Sequence, residues 1–199
     1  MKISFADVAK ADIVAFIVDE GDGLPTTAAG LDKASGGLLT EALTGVRFDG
    51  KKDQQALIVL PKGGESRRAV LIGGGKAKKR DARILESIGA NLVKSQAKSG
   101  FKSLALHVGS AEDAARVALG AQLAAYRFDS YFTKMKPDQK PSLTSVTLVV
   151  DDAKAAKAAF VPLEAAGEGT NLARDLVNMP PNDLYPASFA AKLKDLSEF

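Results

Sequence analysis

Short runs of aliphatic and β-branched residues punctuate the first 150 positions, at Lys2–Phe5, Asp12–Val18, Ala56–Leu60, Ala69–Ile72, Ser103–Val108 and Ser145–Val150. Between them the apolar positions change period. Leu31 to Leu43 follows a helical spacing. After Asp81, the residues Ile84, Leu85, Ile88, Leu92 and Val93 recur at the interval that lays one stripe along a helix. Asp81 reads as the N-cap of that helix and Gly100 as its stop. Another helix opens at Ser110-Ala111-Glu112-Asp113, a start resembling a capping box. Its face of Ala114, Val117, Ala118, Ala121 and Ala125 is small enough to lie close to a sheet. Strands alternating with helices in this way predict an α/β domain on a largely parallel sheet over residues 1–150.

Beyond Asp151 the pattern becomes wholly helical. Residues 152–159 are almost all Ala and Lys, and Asp151-Asp152 at their start complements the helix dipole. The helical spacing resumes at Leu163 and runs through Leu172 and Leu176 to Val177, predicting a linker helix over 151–179. Met179-Pro180-Pro181 ends it, because each proline lacks an N–H donor and the residue before a proline is driven out of the helical region. After Pro186, the residues Phe189, Leu193 and Leu196 give one more amphipathic helix. Two helices and a proline turn are too little to build a core alone, so they either fold back onto the first domain or begin another; the second reading is preferred, with residues 180–199 the beginning of a truncated domain.

Composition narrows the chemistry. Of 199 residues, 46% are hydrophobic and 26% charged, the balance of a globular chain with a core. The formal net charge of +3 is a small excess and not a polycation. There is no Cys, which excludes disulfides, thiolate metal sites and a thiol nucleophile, and suits a reducing compartment. The single histidine, His107, excludes a His-rich zinc site; near the end of a strand it reads as structural. The longest apolar run, Ile13 to Val18, falls far short of the ~20 residues that span a bilayer, so no membrane is expected and the location is expected to be cytoplasmic. The acids fall in helices or turns, and no catalytic or metal-ligating constellation emerges.

Two features invite a ligand. Gly73, Gly74 and Gly75 follow a strand and precede Lys76, Lys78, Lys79 and Arg80, so the turn could set N–H groups and cations around a phosphate. Neither the dinucleotide fingerprint nor the P-loop ending is present, and a tight turn explains the glycines equally. Lys51-Lys52, Arg67-Arg68, the run from Lys76 to Arg83, and Lys134 with Lys136 could contact nucleic acid if one face gathered them; scattered, they are solvated surface.

The most specific signal lies late in the chain. Asn171-Leu-Ala-Arg-Asp175-Leu-Val-Asn178-Met-Pro180-Pro181-Asn182-Asp-Leu-Tyr185-Pro186 resembles the junction motif of the leucyl aminopeptidase family, in which an Ala-Arg-[Asp/Asn]-Leu helix runs into Asn-x-Pro-x-Asn-x-x-x-Pro. Tyr126-Arg127-Phe128-Asp129 is similar to that family's Tyr-Arg-Phe-Asp stretch at the end of a helix of the N-terminal domain. The resemblance covers essentially the whole chain. It implies a macro-domain-like, three-layer N-terminal fold, and a structural role for Asn178, Pro180, Pro181, Asn182 and Pro186: the prolines set the turn and Asn178 and Asn182 bond local backbone.

Family members are metallopeptidases that use two divalent ions, zinc or manganese, to release N-terminal amino acids from peptides. Their metal-ligand and catalytic motifs, such as Asn-Thr-Asp-Ala-Glu-Gly-Arg, lie in a C-terminal domain and match no segment here. The chain is therefore expected to be inactive alone, to carry no cofactor, and to have as partners its own missing catalytic domain and further subunits, a hexamer by resemblance. Two alternatives stay open: a DNA-binding module acting through the basic loops, and a nucleotide or ADP-ribose site near Gly73–Gly75.

Overall fold

The computed structural model describes residues 1–45, 47–61 and 64–196. Every expected strand forms: β1 (Lys2–Ala6), β2 (Ile13–Asp19), β3 (Gln55–Val59), β4 (Arg68–Gly75), β5 (Ser103–His107) and β6 (Ser145–Val149). They make one sheet in the order β1-β6-β5-β2-β4-β3. All neighbours are parallel except β3, an edge strand antiparallel to β4. Side chains alternate across it. Ile13, Ala15, Val70, Ile72, Leu104, Leu106, Val146 and Leu148 enter the core beneath α3 (Ala82–Gln96), α4 (Ala111–Ala124) and the first half of α5 (Ala153–Asn178). Val14, Phe16, Val18, Ala69 and Leu71 face α1 (Ala29–Ala34) and α2 (Leu38–Gly45). The result is a three-layer α/β body, with α6 (Pro186–Leu196) following it.

One of the connections between parallel strands has no helix among the described residues. The chain leaves the C-terminal end of β1 and enters the N-terminal end of β2, passing β6 and β5, with only residues 7–12 between. Three strand spacings of ~4.8 Å across and roughly 16 Å back along the strands leave a six-residue linker almost no slack, so it must run nearly extended. Small residues make this feasible: Ala9 and Ala11 lie on Ala105 and Val149, on the face away from α3 and α4. Asp12 pins the far end. Its Oδ2 accepts from the Lys102 and Ser103 amides, both at 3.1 Å, and from the Ser103 hydroxyl at 2.8 Å. The Ser103 hydroxyl in particular holds the Asp12 carboxyl below its ordinary pKa.

The helices depart from expectation in two places. The segment 31–43 is two helices, because Gly36 and Gly37 adopt φ of +76° and +88°, and Asp32 Oδ1 caps the second by accepting from the Leu39 amide at 2.8 Å. The small face of α4 makes its closest approach to α3: a Cβ on Gly120 would sit 1.9 Å from the Glu86 carbonyl oxygen, and one on Gly89 2.0 Å from that of Val117. Helix α5 is continuous through Pro162, which lies on its exposed side. Its Ala/Lys-rich start is far from idle, since Ala156 and Phe160 are buried and the Phe160 ring packs 5.5 Å from that of Phe5.

The caps at Asp81 and Ser110 follow the sequence, accepting from the amides of Ile84 and Asp113; Asp152, expected only to complement the helix dipole, also accepts from the Ala155 amide. The helix after Asp81 ends at Gln96, and Gly100, at φ +85°, shapes the turn beyond it.

Candidate functional site

The two segments that carry the family resemblance meet in space. Helix α4 ends at Ala124 and delivers Tyr126 against the last two turns of α5. The Tyr126 hydroxyl donates to Asp175 Oδ1 at 2.8 Å and accepts from Asn178 Nδ2 at 3.4 Å. Arg174 lies over the Tyr126 ring, 5.3 Å from its centroid, and donates to the Leu123 carbonyl at 2.9 Å and to Asn171 Oδ1 at 3.2 Å. The Ala-Arg-Asp-Leu segment thus works as a clasp: Arg174 and Asp175 are adjacent on α5, and both engage the end of α4. Desolvation and the Asp175 carboxylate push the Tyr126 phenol above its ordinary pKa, which keeps it a donor.

The clasp continues past the helix. The Tyr131 hydroxyl donates to Asp183 Oδ2, tying the loop after α4 to the proline turn and raising the Tyr131 pKa. The turn at Pro180-Pro181 closes with the Asp183 and Leu184 amides donating to the Pro180 carbonyl, at 3.0 and 2.9 Å. Pro186 is the first residue of α6, where its missing N–H costs no helical bond. Asn178 bonds backbone as expected, donating to the Arg174 carbonyl at 2.8 Å. Asn182 does not; its amide reaches the Asp183 side chain at 3.3 Å, and the hydroxyl that fixes the turn belongs to Ser188, which donates to the Asp183 carbonyl and accepts from the Tyr185 amide. Tyr126, Tyr131, Arg174, Asp175, Asp183 and Ser188 all carry this junction. Tyr126, Arg174, Asp175 and Asp183 lie in the two motif segments, Tyr131 and Ser188 just beyond them, and the pairing of all six required the fold.

The glycine turn is built differently. A Cβ on Gly73 would meet the Lys51 carbonyl oxygen at 1.9 Å, and one on Gly74 would meet the Arg80 guanidinium at 2.5 Å; Gly75 has φ +66°. The Gly73 amide donates to the Gln54 carbonyl and the Gly75 amide to that of Gly50, so neither is available to a phosphate. Arg80 turns inward, pairing with Asp19 at the end of β2 and donating to the Gly74 carbonyl at 3.4 Å. Lys76, Lys78 and Lys79 are exposed around the turn.

The other basic candidates scatter. Arg68 donates to buried Gln96 at 2.9 Å and stacks over Phe101, while Lys51 pairs with Asp49 at 2.8 Å. His107 stacks on Phe16 at 4.8 Å, and burial lowers its pKa, which favours the neutral ring. Among the described residues, no group of three or more His, Cys, Asp or Glu side chains is placed to hold a metal ion, and no helix is long and apolar enough to cross a membrane.

Comparison with known proteins agrees with the junction. The family model for the "Cytosol aminopeptidase family, N-terminal domain" matches residues 13–135. A probable cytosol aminopeptidase of Caulobacter vibrioides is 39% identical over 184 residues, covering 92% of this chain and 37% of that protein. One from Rhizobium etli is 41% identical over 176 residues, covering 85% and 36%. The chain thus spans little more than a third of the relatives it matches. A tomato leucine aminopeptidase mutant superposes with a TM-score of 0.82 over 100% of this chain and 42% of that one at 22% identity, a likeness of fold. The bottromycin maturation enzyme BotP, solved in complex with Mn, superposes at 0.69 over 94% of this chain and 36% of that one, with 26% identity. With more than half its length matched by the family's N-terminal domain, and both motif segments clasped together, this chain belongs to the cytosol aminopeptidase family.

Proposed function

We propose that this chain is the non-catalytic N-terminal part of a metal-dependent cytoplasmic aminopeptidase, and that it orients a catalytic domain and contributes to contacts between subunits. The observation that carries the reading is the clasp of Tyr126 on Asp175 and Asn178, reinforced by Arg174 on Leu123. It fastens the end of a long helix to the α/β body, immediately before the proline turn that leads into α6. A rigid exit of this kind sets the direction in which following polypeptide leaves, and a loose one would not. The two divalent ions and the peptide-bond chemistry belong, in this reading, to that following domain.

Assay of the 199-residue chain with leucine p-nitroanilide and added Mn or Zn is expected to give no turnover. Turnover would overturn the division of labour. Joining the chain to the remaining two thirds of the Caulobacter relative is expected to give an active enzyme, and Arg174→Ala in that fusion to lower kcat with metal content unchanged. Full activity in the Arg174→Ala fusion would remove the orienting role.

A further inference from the structure

Strand β3 ends the sheet with an edge that lacks the usual protections. Exposed edges are normally blunted by charge, by proline or by a bulge. Here Gln54-Gln55-Ala56-Leu57-Ile58-Val59-Leu60 has none of the first two, and its register with β4 is unbroken. One side is sound: Ala56 and Ile58 are buried on the α2 side of the sheet. On the other side Leu57 is 57% exposed and Val59 77%.

The hydrogen-bond phase identifies the free groups. The Gly73 amide donates to the Gln54 carbonyl and the Leu60 amide to the Arg67 carbonyl, so the even-numbered residues of this strand turn their polar groups toward β4. In an antiparallel ladder these alternate, and the N–H and C=O groups of Gln55, Leu57 and Val59 therefore point away from the sheet. Each edge thus offers three donors and three acceptors in a row.

We infer that this edge pairs with the same edge of a second copy of the chain, antiparallel, about a two-fold axis at Leu57. That register places Leu57 opposite its mate and Gln55 opposite Val59, each facing pair exchanging two hydrogen bonds, so all the outward donors and acceptors of both strands are satisfied. It also sets the exposed Leu57 and Val59 side chains of both copies on one face, where they shield each other. Charge permits it. Although the chain as a whole is +3, residues 49–65 contain three basic and three acidic residues, with none between 54 and 60, so two copies approach here without net repulsion. Five paired residues bury less than a stable dimer requires, so the contact is weak alone and works as one contact of an assembly. The inference rests on the proposed subunit-contact role and names its surface.

Because the chain has no cysteine, single thiols report the register. Facing Cα atoms at the axis are ~5.5 Å apart, within disulfide reach. Val59 and its mate are four residues apart along the ladder, roughly 14 Å, which is out of reach. Under mild oxidation, Leu57→Cys and the double variant Gln55→Cys/Val59→Cys are expected to give covalent dimers. Val59→Cys alone should stay at the level of Val177→Cys, an exposed control on α5. The inference is overturned if Leu57→Cys crosslinks no better than Val177→Cys, or if Val59→Cys alone crosslinks as well as Leu57→Cys.

Sedimentation of the unmodified chain and of Leu57→Lys separates this from the parent reading. Self-association that Leu57→Lys leaves intact, with no Leu57→Cys dimer, retains a subunit-contact role and places it on another surface. No association and no crosslink defeats both.

Discussion

Two segments of this chain drew attention for their residue types, and they do opposite kinds of work. At Gly73–Gly75 the side chains are absent so that other groups of the protein can reach the backbone: the Lys51 carbonyl and the Arg80 guanidinium occupy the space that Cβ atoms would fill. At the junction the side chains are everything, with Tyr126, Arg174, Asp175 and Asn178 holding two helices together at a partly exposed surface. A glycine run therefore says that something approaches closely, and leaves open whether it is a ligand or the protein itself. A run of mutually complementary polar residues says more, because its partners must also be in the sequence.

The comparison predicts that the glycine turn tolerates change least. Gly73→Ala places a methyl group inside the Lys51 backbone, which cannot rotate away as a side chain would. The loop must shift, breaking the Gly73 amide to Gln54 bond as it does. The expected loss is about 3 kcal/mol, read as a lowered midpoint in urea with the slope unchanged. A midpoint equal to that of the unsubstituted chain would mean that the close approach is illusory, and would reopen the turn as a cradle for a ligand.

Next in size is the ion pair behind that turn. The Arg80 side chain is only 15% exposed and Asp19 29%, so Arg80→Met strands a half-buried carboxylate at the end of β2. The expected cost is about 2 kcal/mol. Double substitution with Asp19→Asn should recover part of it. An unchanged midpoint in Arg80→Met would show Arg80 to be free for another partner, as the phosphate reading requires.

How far the sequence reveals such arrangements depends on the range of the interaction. Strands and caps were legible because their signals are local: alternation for the sheet, and Asp81 and Ser110 each three residues before the amide they accept from. The break at Gly36-Gly37 was hidden by an apolar spacing that carries across it. The clasp was half legible. Its segments could be recognised, but Tyr126 and Asp175 are 49 residues apart, and only the packing of α4 on α5 brings them to 2.8 Å. The reverse held for the glycine turn, where Lys51 and Arg80 gave no local sign that they fill it. Asn182 and Ser188 differ for a subtler reason, since either could serve the proline turn and which one does depends on the angle at which α6 departs.

The junction should yield by loosening rather than by unfolding. Arg174→Ala removes two hydrogen bonds and the stacking on Tyr126, an expected local cost of about 1 to 2 kcal/mol. Amide exchange should accelerate over residues 171–178 while β2, β4 and β5 stay protected, since Ala156 and Phe160 still anchor the first half of α5. Acceleration across the sheet as well would make the clasp part of the core and erase the distinction drawn between the two regions.

The smallest effect is the most selective. Tyr126 is held above the usual phenol pKa near 10 by desolvation and by Asp175, and Tyr131 by its bond to Asp183 and then by desolvation. A raised folded-state pKa means that the neutral phenol is the form the fold prefers. Its contribution is fully present below pH 10 and fades as pH climbs through the higher folded value. Losing that proton replaces a donor with a second negative charge facing Asp175, so the clasp should open at alkaline pH while the backbone amide-to-carbonyl bonds that close the glycine turn, which do not titrate, hold. Ultraviolet titration of the phenolate, followed in parallel with amide exchange at 171–178, tests this directly. Tyr126→Phe should abolish one late-titrating phenol and flatten the alkaline rise in exchange; a rise that persists in Tyr126→Phe would move the alkaline sensitivity to Tyr131 and leave Tyr126 as packing alone.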